Sequence, residues 1–410
     1  MGVLVNGVWH PVDPPNFKLD PSKQAGTFLT PHEQIEVQGD GRYILYVCAG
    51  CPFAARPWLV ACATGMDLST IRIVRVFPAN QEDGWFFKAV SDQEKKAVEE
   101  HRDTVEWEEE EPYSKGKFSH LHQVYTSGDS QITGRVTVPL LFDSQTNTCI
   151  SSESADCVKI LLERFSSLHY QEPSAAGNMH HIDNENGGER INFYPNAKKD
   201  QIDQEMMYMS QNITSIVYGI HFANTQQLFD AKCHQFFETL FKYEKILTNR
   251  DWILQDESTP SILDFILFAT VVRFDVAYGP RFRMTKYTIR DDFPSLWSHC
   301  CRVYHVNGVK RSVHFNGILA MYYKSLPLCK KAGLTVGRLN VNYEKHLEKD
   351  LVAVDGGGSG GDSGFGGESG GDSGFGGGDL NRFSGHRVIS MVGAAFLGGA
   401  ILGVALTRSK

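Results

Sequence analysis

The sequence predicts an α/β domain and an all-helical domain, followed by a glycine-rich linker and one transmembrane helix. Short β-rich runs alternate with helical spacing up to residue 166, and apolar residues recur every three or four positions beyond residue 193. After residue 345 the composition shifts towards glycine. The predicted parts are an irregular N-terminal arm (1–40), the α/β domain (41–166), a linker (167–192), the helical domain (193–345), a Gly-rich flexible linker (346–387) and a transmembrane tail (388–407).

The bulk composition limits the possible classes of function. A chain of 410 residues with 41% hydrophobic residues can bury two cores, and a net charge of −8 argues against nucleic-acid binding. Nine cysteines without a repeated paired spacing indicate free thiols in a reducing compartment. The sequence has no second CxxC, which argues against a four-ligand zinc site, and we expect no metal cofactor. No secretory signal is visible at the N-terminus.

The α/β domain is predicted from its elements in order. "RYILYVC" (42–48) is a short apolar run typical of a buried strand, and "AARPWLVACATG" has helical spacing and ends at Gly65. "IRIVRVF" (71–77) alternates like a second strand. We expect the polar insertion at 90–117 to be a solvated loop, because its consecutive glutamates repel one another.

The remaining elements complete a thioredoxin-like order. "VTVPLLFD" (136–143) and "TCIS" (148–151) read as two strands, and "SESADCVKILLERF" reads as a helix. The later segment "QIDQEMMYMSQNITSIVYGI" has a helical stripe of methionine and isoleucine that indicates core packing. "TPSILDFILFATVVRFD" predicts a buried central helix, which begins with a capping pair, Ser261 and Asp264.

The C-terminal segment predicts a membrane anchor. "GGDSGFGG" occurs twice between 360 and 377, a composition typical of a flexible linker. Residues 388–407 then carry no charge and would span about 30 Å as a helix, the hydrocarbon thickness of a bilayer. A buried core helix is the alternative. We predict a cytosol-facing, tail-anchored protein, in a mitochondrial or plastid outer membrane more than in the endoplasmic reticulum.

The turn "CAGCPFAAR" contains the candidate nucleophile. Cys51 precedes Pro52, which suits the first position of a helix, so its sulfur would face unpaired N–H groups that favour the thiolate. Arg56, about one turn later, would add positive charge. Cys48 ends the strand and could form a dithiol with Cys51 only if the chain turns sharply at Ala49–Gly50. We favour Cys51 as a lone nucleophile; a working dithiol and two inert cysteines are the alternatives.

Two further motifs suggest a ligand site. Val138–Pro139 places a proline inside an apolar strand, where a cis bond would turn backbone groups towards a ligand. Glu153 and Ser154 begin a helix, where backbone donors suit a carboxylate and Glu153 could hold an ammonium group. Simple helix capping is the alternative explanation for this pair.

A Cys-Pro turn, a Val-Pro strand, a Glu-Ser helix start and a helical domain together resemble the cysteine-type glutathione transferases. Several longer stretches resemble the glutathionyl-hydroquinone reductases, which are the xi-class, omega-like transferases, over about residues 40 to 325. These stretches are "GRVTVPLLFDSQTNTCISSESADCVKIL", "YPNAKKDQID", "VYGIHFA", "VRFDVAYGPRF" and "DDFPSLWSHCCRVYHVNGV". The resemblance implies a thioredoxin-like glutathione-binding domain and an all-α glutathione-transferase C-terminal domain, assembled as a homodimer.

The resemblance also implies the site and the reaction. The glutathione-binding residues would be Trp85, Arg135, Val138, Pro139, Glu153 and Ser154. Tyr218 and Tyr278 would lie over the aromatic substrate, and glutathione would be the co-substrate. The Cys51 thiolate would attack the sulfur of a glutathionyl-hydroquinone, the tyrosines would stabilise the departing ring, and a second glutathione would release oxidised glutathione from Cys51.

This sequence departs from the family pattern beside the nucleophile. Phe53 and Ala55 stand where the family usually has tryptophan and histidine, whereas Cys51 and Arg56 are retained. These differences bear on substrate choice more than on thiol chemistry. Two alternative functions therefore stay open: an omega-like thioltransferase or dehydroascorbate reductase, and a non-enzymatic, membrane-tethered adaptor with the transferase fold.

Overall fold

The computed structural model describes residues 2–19, 35, 41–68, 70–78, 83–101, 105–108, 110–165, 191–255, 258–324 and 343–355. The strands are β1 Val3–Val5, β2 Val8–His10, β3 Tyr43–Val47, β4 Ile71–Arg75, β5 Gly134–Arg135, β6 Leu140–Asp143 and β7 Thr148–Ser151. The helices are α1 Pro52–Ala63, α2 Asp92–His101, α3 Leu121–Gly128, α4 Ser154–Ile160, α5 Lys199–Met209, α6 Ser215–His221, α7 Gln226–Leu247, α8 Ile262–Arg273, α9 Gly279–Arg281, α10 Ile289–Asp292, α11 Pro294–His305, α12 Phe315–Lys324 and α13 Tyr343–Asp355.

The central sheet has the strand order β4-β3-β6-β7. β3 pairs parallel with β4 and antiparallel with β6, and β6 pairs antiparallel with β7. All five residues of β3, YILYV, are buried, as expected for an aromatic and β-branched strand in the middle of a sheet. The crossover between the parallel strands runs through α1. This arrangement confirms the predicted thioredoxin-like part of the fold.

Helix α1 begins directly at the candidate nucleophile. Cys51 is the N-cap residue with extended backbone angles, and Pro52 occupies the first helical position. Eleven of the twelve residues of α1 are buried, because the helix packs against both α4 and α8. The start of α1 is therefore packed against both the sheet-containing part and the helical part of the chain.

The second part of the chain is helical and is organised around α8. All twelve residues of α8 are buried. Its predicted capping pair is present, since Ser261 N–H donates to Asp264 Oδ2 at 2.7 Å. Asp264 Oδ1 also accepts hydrogen bonds from the Ile253 N–H at 2.9 Å and pairs with His299 Nε2 at 2.8 Å. The pair therefore has a structural role that extends beyond the cap.

The first ten residues differ from the predicted irregular arm. β1 and β2 form a hairpin, and β1 also pairs with β5, so that Val3 lies opposite Arg135. Val3 and Leu4 are fully buried. Each strand is only three residues long, so periodicity alone could not reveal it.

The acidic insertion also differs from the predicted solvated loop. It contains α2, and its glutamates have specific partners. The Glu111 carboxylate is fully buried and accepts hydrogen bonds from Tyr46 Oη at 2.6 Å, the Tyr113 N–H and the Ser114 N–H. Glu108 forms an ion pair with Arg75 at 3.1 Å. Partners distant in sequence relieve the repulsion on which the prediction rested.

The predicted transmembrane helix requires a correction. Within the described part of the chain, no helix is both long enough and apolar enough to cross a bilayer. α7 has 22 residues, but it carries charged side chains including Lys232, Lys242 and Glu244. The anchor at 388–407 and the tail-anchored localisation are therefore not supported. Residues 388–407 lie outside the described residues.

The predicted linkers fall mostly outside the described residues. Residues 167–190 and 356–387 are not described. Helix α13 reaches Asp355, so the helical part continues beyond the predicted boundary at 345. Leu347 is fully buried, and Asp350 accepts a hydrogen bond from the Trp297 indole at 3.1 Å. These contacts explain why the charged sequence before the glycines is helical.

Candidate active site

Cys51 lies in a buried turn between β3 and α1. Its Sγ donates to the Val138 carbonyl oxygen at 3.7 Å, and its side chain is 6% exposed. Burial raises the pKa of the Cys51 thiol, whereas the N–H groups of Phe53 and Ala54 and the charges of Arg273 and Arg56 lower it. The amide groups act as expected for a thiol at a helix N-terminus.

Arg273 was not foreseen as a site residue. Its guanidinium donates to the carbonyl oxygens of Gly50 at 3.1 Å and Ala49 at 3.2 Å, and it is 3% exposed. It therefore holds the turn before Cys51 from the end of α8, more than 200 residues away. The sequence signal that could have identified it is an arginine within the apolar run "LFATVVRFD", because a buried arginine needs specific partners.

Cys48 faces a different part of the structure from Cys51. The Cys51 N–H donates to the Cys48 carbonyl at 3.0 Å, so the chain does turn sharply here. However, Cys48 Sγ lies 3.9 Å from the Pro78 carbonyl oxygen and 4.0 Å from Met321 Sδ. Pro78 follows β4, on the opposite side of β3 from Val138. Burial raises the pKa of the Cys48 thiol to about 12. Both thiols are free.

The two ligand motifs predicted from sequence lie beside α1. The Val138–Pro139 peptide bond is cis, and its Val138 carbonyl accepts from Cys51. Ser154 Oγ accepts from Arg56 Nη1 at 3.1 Å, and Glu153 is the N-cap of α4. Burial raises the pKa of Glu153, while the Arg56 charge lowers it. Arg56 of α1 thus contacts the Glu153–Ser154 motif at the start of α4.

Trp85 and Arg135 have different environments. Trp85 is buried, and its indole Nε1–H has no hydrogen-bond partner among the described residues. A buried donor without a partner suits a ligand acceptor. Arg135 instead forms an ion pair with Asp13 of the N-terminal segment, Nη2 to Oδ2 at 2.7 Å. This hydrogen bond lowers the pKa of Asp13.

Three tyrosine hydroxyls meet on the helical side of the site. Tyr322 Oη lies 2.6 Å from Tyr218 Oη and 3.2 Å from Tyr278 Oη. Burial raises the pKa of all three phenols, that of Tyr278 to about 12. Tyr322 was not foreseen from the sequence, because "AMYYK" in α12 reads as ordinary helix packing.

The thiol and the phenols belong to one buried region. The Phe53 ring stacks on Tyr218 with 6.0 Å between centroids, two residues after Cys51. A charge on Cys51 further raises the pKa of Tyr218 and Tyr278. Arg56 Nη2 donates to Thr214 Oγ1 at 2.5 Å and so links the two parts of the chain. A nucleophilic sulfur, flanking cations and protonated phenols can together cleave a bond to sulfur and protonate the leaving group.

Comparison with known families and relatives agrees with this geometry. Residues 226–300 match the family model described as Glutathione S-transferase, C-terminal domain. The chain is 27% identical over 346 residues to the glutathionyl-hydroquinone reductase YqjG of Escherichia coli, covering 82% of this chain and 94% of that protein. It is 26% identical to the glutathionyl-hydroquinone reductase PcpF of Sphingobium chlorophenolicum, covering 82% and 95%.

Solved structures share the fold. A xi-class transferase from Natrialba magadii aligns with a TM-score of 0.67 and 23% identity, covering 84% of this chain and 95% of that one. The xi transferase of Phanerochaete chrysosporium aligns with a TM-score of 0.63 and 25% identity, covering 79% and 98%. The glutathione transferase fold and the resemblance to glutathionyl-hydroquinone reductases are therefore confirmed.

Proposed function

We propose that this chain, an enzyme of the glutathione transferase superfamily, reduces glutathionyl-hydroquinones to hydroquinones through a Cys51–glutathione mixed disulfide. The single observation that carries the proposal is the meeting of the Cys51 turn with the three buried phenols. The relatives YqjG and PcpF are named for this activity and align with this chain over most of their length, which supports the proposal.

Cys51 is the proposed nucleophile. Its thiolate attacks the glutathione sulfur of the substrate, and the bond from that sulfur to the aromatic carbon breaks. The amides at the start of α1 and the charges of Arg273 and Arg56 favour the thiolate against the cost of burial. A second glutathione then displaces the first from Cys51 as oxidised glutathione, which predicts ping-pong kinetics.

The proposed glutathione site lies beside Cys51. Val138 and Pro139 would face the peptide backbone of glutathione, and Glu153 and Ser154 would hold its ammonium and carboxylate groups at the start of α4. Trp85 offers a buried indole N–H that has no partner within the described part of the chain. We also assign Arg135 to this site by resemblance; to act there its guanidinium would have to be shared with Asp13.

Tyr218 and Tyr278 are proposed to bind the departing ring, and we assign Tyr322 to the same role because its hydroxyl lies beside both of theirs. Because burial raises their pKa values, the phenols are protonated at neutral pH and can donate to an oxygen or carbon of the ring. Tyr322 lies between the other two and can relay a proton from one hydroxyl to the next.

A two-substrate assay tests the proposal. Turnover of a glutathionyl-hydroquinone is compared with turnover of a glutathione mixed disulfide in the wild type, Cys51→Ser and Tyr322→Phe. We expect Cys51→Ser to be inactive on both substrates, and Tyr322→Phe to lose about ten-fold or more in turnover of the glutathionyl-hydroquinone alone. Activity only on the mixed disulfide would favour an omega-like thioltransferase. Inactivity of the wild type on both substrates would contradict both the reductase and the thioltransferase functions.

The organisation of the chain is part of the proposal. We propose that residues 41–166 bind glutathione, that residues 193–345 form the helical domain, and that the chain assembles as a homodimer. Light scattering after size-exclusion chromatography measures the assembly state. A mass of one chain across the micromolar range would contradict the dimer.

A further inference from the structure

A second cluster of polar side chains lies outside the active site, where three segments meet. It consists of Asp83, Glu94 and His120, and one ligand atom of each lies within 4.8 Å of those of the other two. Glu94 is fully buried, His120 is 4% exposed and Asp83 is half-buried. One imidazole nitrogen and two carboxylate oxygens are ligands that divalent transition-metal ions accept.

The two buried members are held in fixed orientations. Glu94 Oε2 accepts from the N–H groups of Val90 at 2.8 Å and Ser91 at 2.9 Å, which leaves Oε1 directed at His120 Nε2, 2.7 Å away. The other ring nitrogen, His120 Nδ1, lies 2.8 Å from Ser119 Oγ. Such outer hydrogen bonds orient metal-binding side chains, and an ion could replace the proton shared by Nε2 and Oε1.

Asp83 provides the observation that points to a ligand. Among the described residues its carboxylate receives no hydrogen bond and no ion pair, yet it faces Glu94 and His120. The two carboxylates face a single imidazole, which can offset at most one of their charges, so the cluster attracts a cation. We propose that Asp83, Glu94 and His120 bind a divalent transition-metal ion such as Zn²⁺, with water completing its coordination.

The proposed ion would fix the position of the segment that carries Trp85. Asp83 lies two residues before Trp85, whose carbonyl accepts from the Leu121 N–H at 2.9 Å. The Phe87 N–H donates to the Ser119 carbonyl at 2.8 Å, beside His120. An ion bound to all three side chains would therefore clamp this segment to the starts of α2 and α3 and stabilise the folded chain. It takes no part in the thiol chemistry at Cys51.

Titration of the metal-stripped full-length chain with Co²⁺ tests the proposal. The nine cysteines could also bind metal, but thiolate ligands give an intense sulfur-to-metal band in the near ultraviolet. We expect one Co²⁺ per chain with visible ligand-field bands and without that sulfur band, and a rise in melting temperature on binding. No binding, or binding with the sulfur band only, would overturn the proposal.

Two substitutions and a matched control locate the ion. Asp83→Asn preserves the shape of a half-buried side chain and should weaken Co²⁺ binding by about ten-fold or more; His120→Gln should do the same if it folds. Asp92→Asn, at a fully exposed carboxylate on the neighbouring α2, should bind as the wild type does. Equal affinity in Asp83→Asn and Asp92→Asn would refute the site.

Discussion

The Cys51 sulfur is subject to opposing influences on its charge. Burial raises the pKa of the thiol, and two guanidiniums and two amide groups lower it. The amides belong to the backbone at the start of α1, and only a proline substitution, which would disturb the helix, could remove one of them. Of the two guanidiniums, that of Arg273 lies against the turn itself through the Ala49 and Gly50 carbonyls. Arg273 is therefore the residue through which the reactivity of Cys51 can be tested.

Removal of the Arg273 charge should make Cys51 less reactive at neutral pH. Arg273 lowers the pKa of Cys51, so Arg273→Gln raises it, and the midpoint of Cys51 alkylation should move about one pH unit upwards. Arg273→Lys keeps the charge and should shift the midpoint less. The measurement is the iodoacetamide rate against pH, with circular dichroism as the check on folding. Coincident profiles in all three proteins would show that Arg273 only supports the turn.

The orientation of Cys48 favours a single reactive thiol over a dithiol. Cys48 Sγ faces Pro78 and Met321, whereas Cys51 Sγ faces Val138. We therefore expect Cys48→Ala to keep turnover within about two-fold of wild type, while Cys51→Ser loses at least about 10³-fold. Steady-state rates with saturating glutathione measure both. A large loss in Cys48→Ala, with normal alkylation of Cys51, would indicate that the two thiols work as a pair.

Site residues could be predicted from the sequence when a few neighbouring residues were enough to identify them. Cys51 before Pro52, and Glu153 at a helix start, follow from capping rules applied to a few neighbouring residues. Arg273 and Tyr322 reach the same region from α8 and α12, and only the tertiary packing brings them there. A single sequence does not contain that information in any short window.

At the scale of elements, the strands of the central sheet were predictable and the insertion was not. β3 and β4 are buried enough to show as continuous or alternating apolar runs. The acidic segment reads as solvated because its local charge is high, but Glu111 is buried beneath Tyr46 of β3. The hydrogen bond from Tyr46, 65 residues away in the sequence, outweighs the repulsion among neighbouring glutamates in fixing the conformation of this segment.

Glu111 should therefore contribute to stability although it lies in an acidic run. Glu111→Gln replaces one acceptor oxygen by an amide donor, so one of the Tyr46, Tyr113 and Ser114 donors loses its partner. We expect a loss of about 1–3 kcal/mol in the free energy of unfolding, measured by urea denaturation.

The adjacent glutamate provides the control for this substitution. Glu110 is exposed, and Glu110→Gln should change the unfolding free energy by less than about 0.5 kcal/mol. If the two variants were equally stable, Glu111 would be solvated as the sequence alone suggested. Combination with Tyr46→Phe in a double-mutant cycle isolates the buried hydrogen bond.

At the scale of the whole molecule, the site depends on the contact between the sheet-containing part and the helical part. Arg56 reaches Thr214, and Arg311 pairs with Asp67 at 2.8 Å across the same contact. The two kinds of domain could be read from sequence periodicity. Their relative placement could not, because it depends on close approaches such as that of Gly308 to the Cys62 carbonyl.

Gly308 should be the most sensitive glycine of this contact. It has φ of +83°, and a Cβ there would overlap the Cys62 carbonyl oxygen in the last turn of α1. Gly41 has φ of +75°, and no atom of the described residues lies within 4 Å of a Cβ there, so it shares the backbone requirement without the clash. Gly41→Ala should cost about 1–2 kcal/mol of unfolding free energy from backbone strain. Gly308→Ala should cost about 1–3 kcal/mol more, because its methyl group overpacks the contact.

Urea unfolding of both variants measures the difference, and turnover of the folded fraction reports whether the site is disturbed. An equal loss in the two variants would mean that α1 and the turn after α11 can separate without affecting the fold.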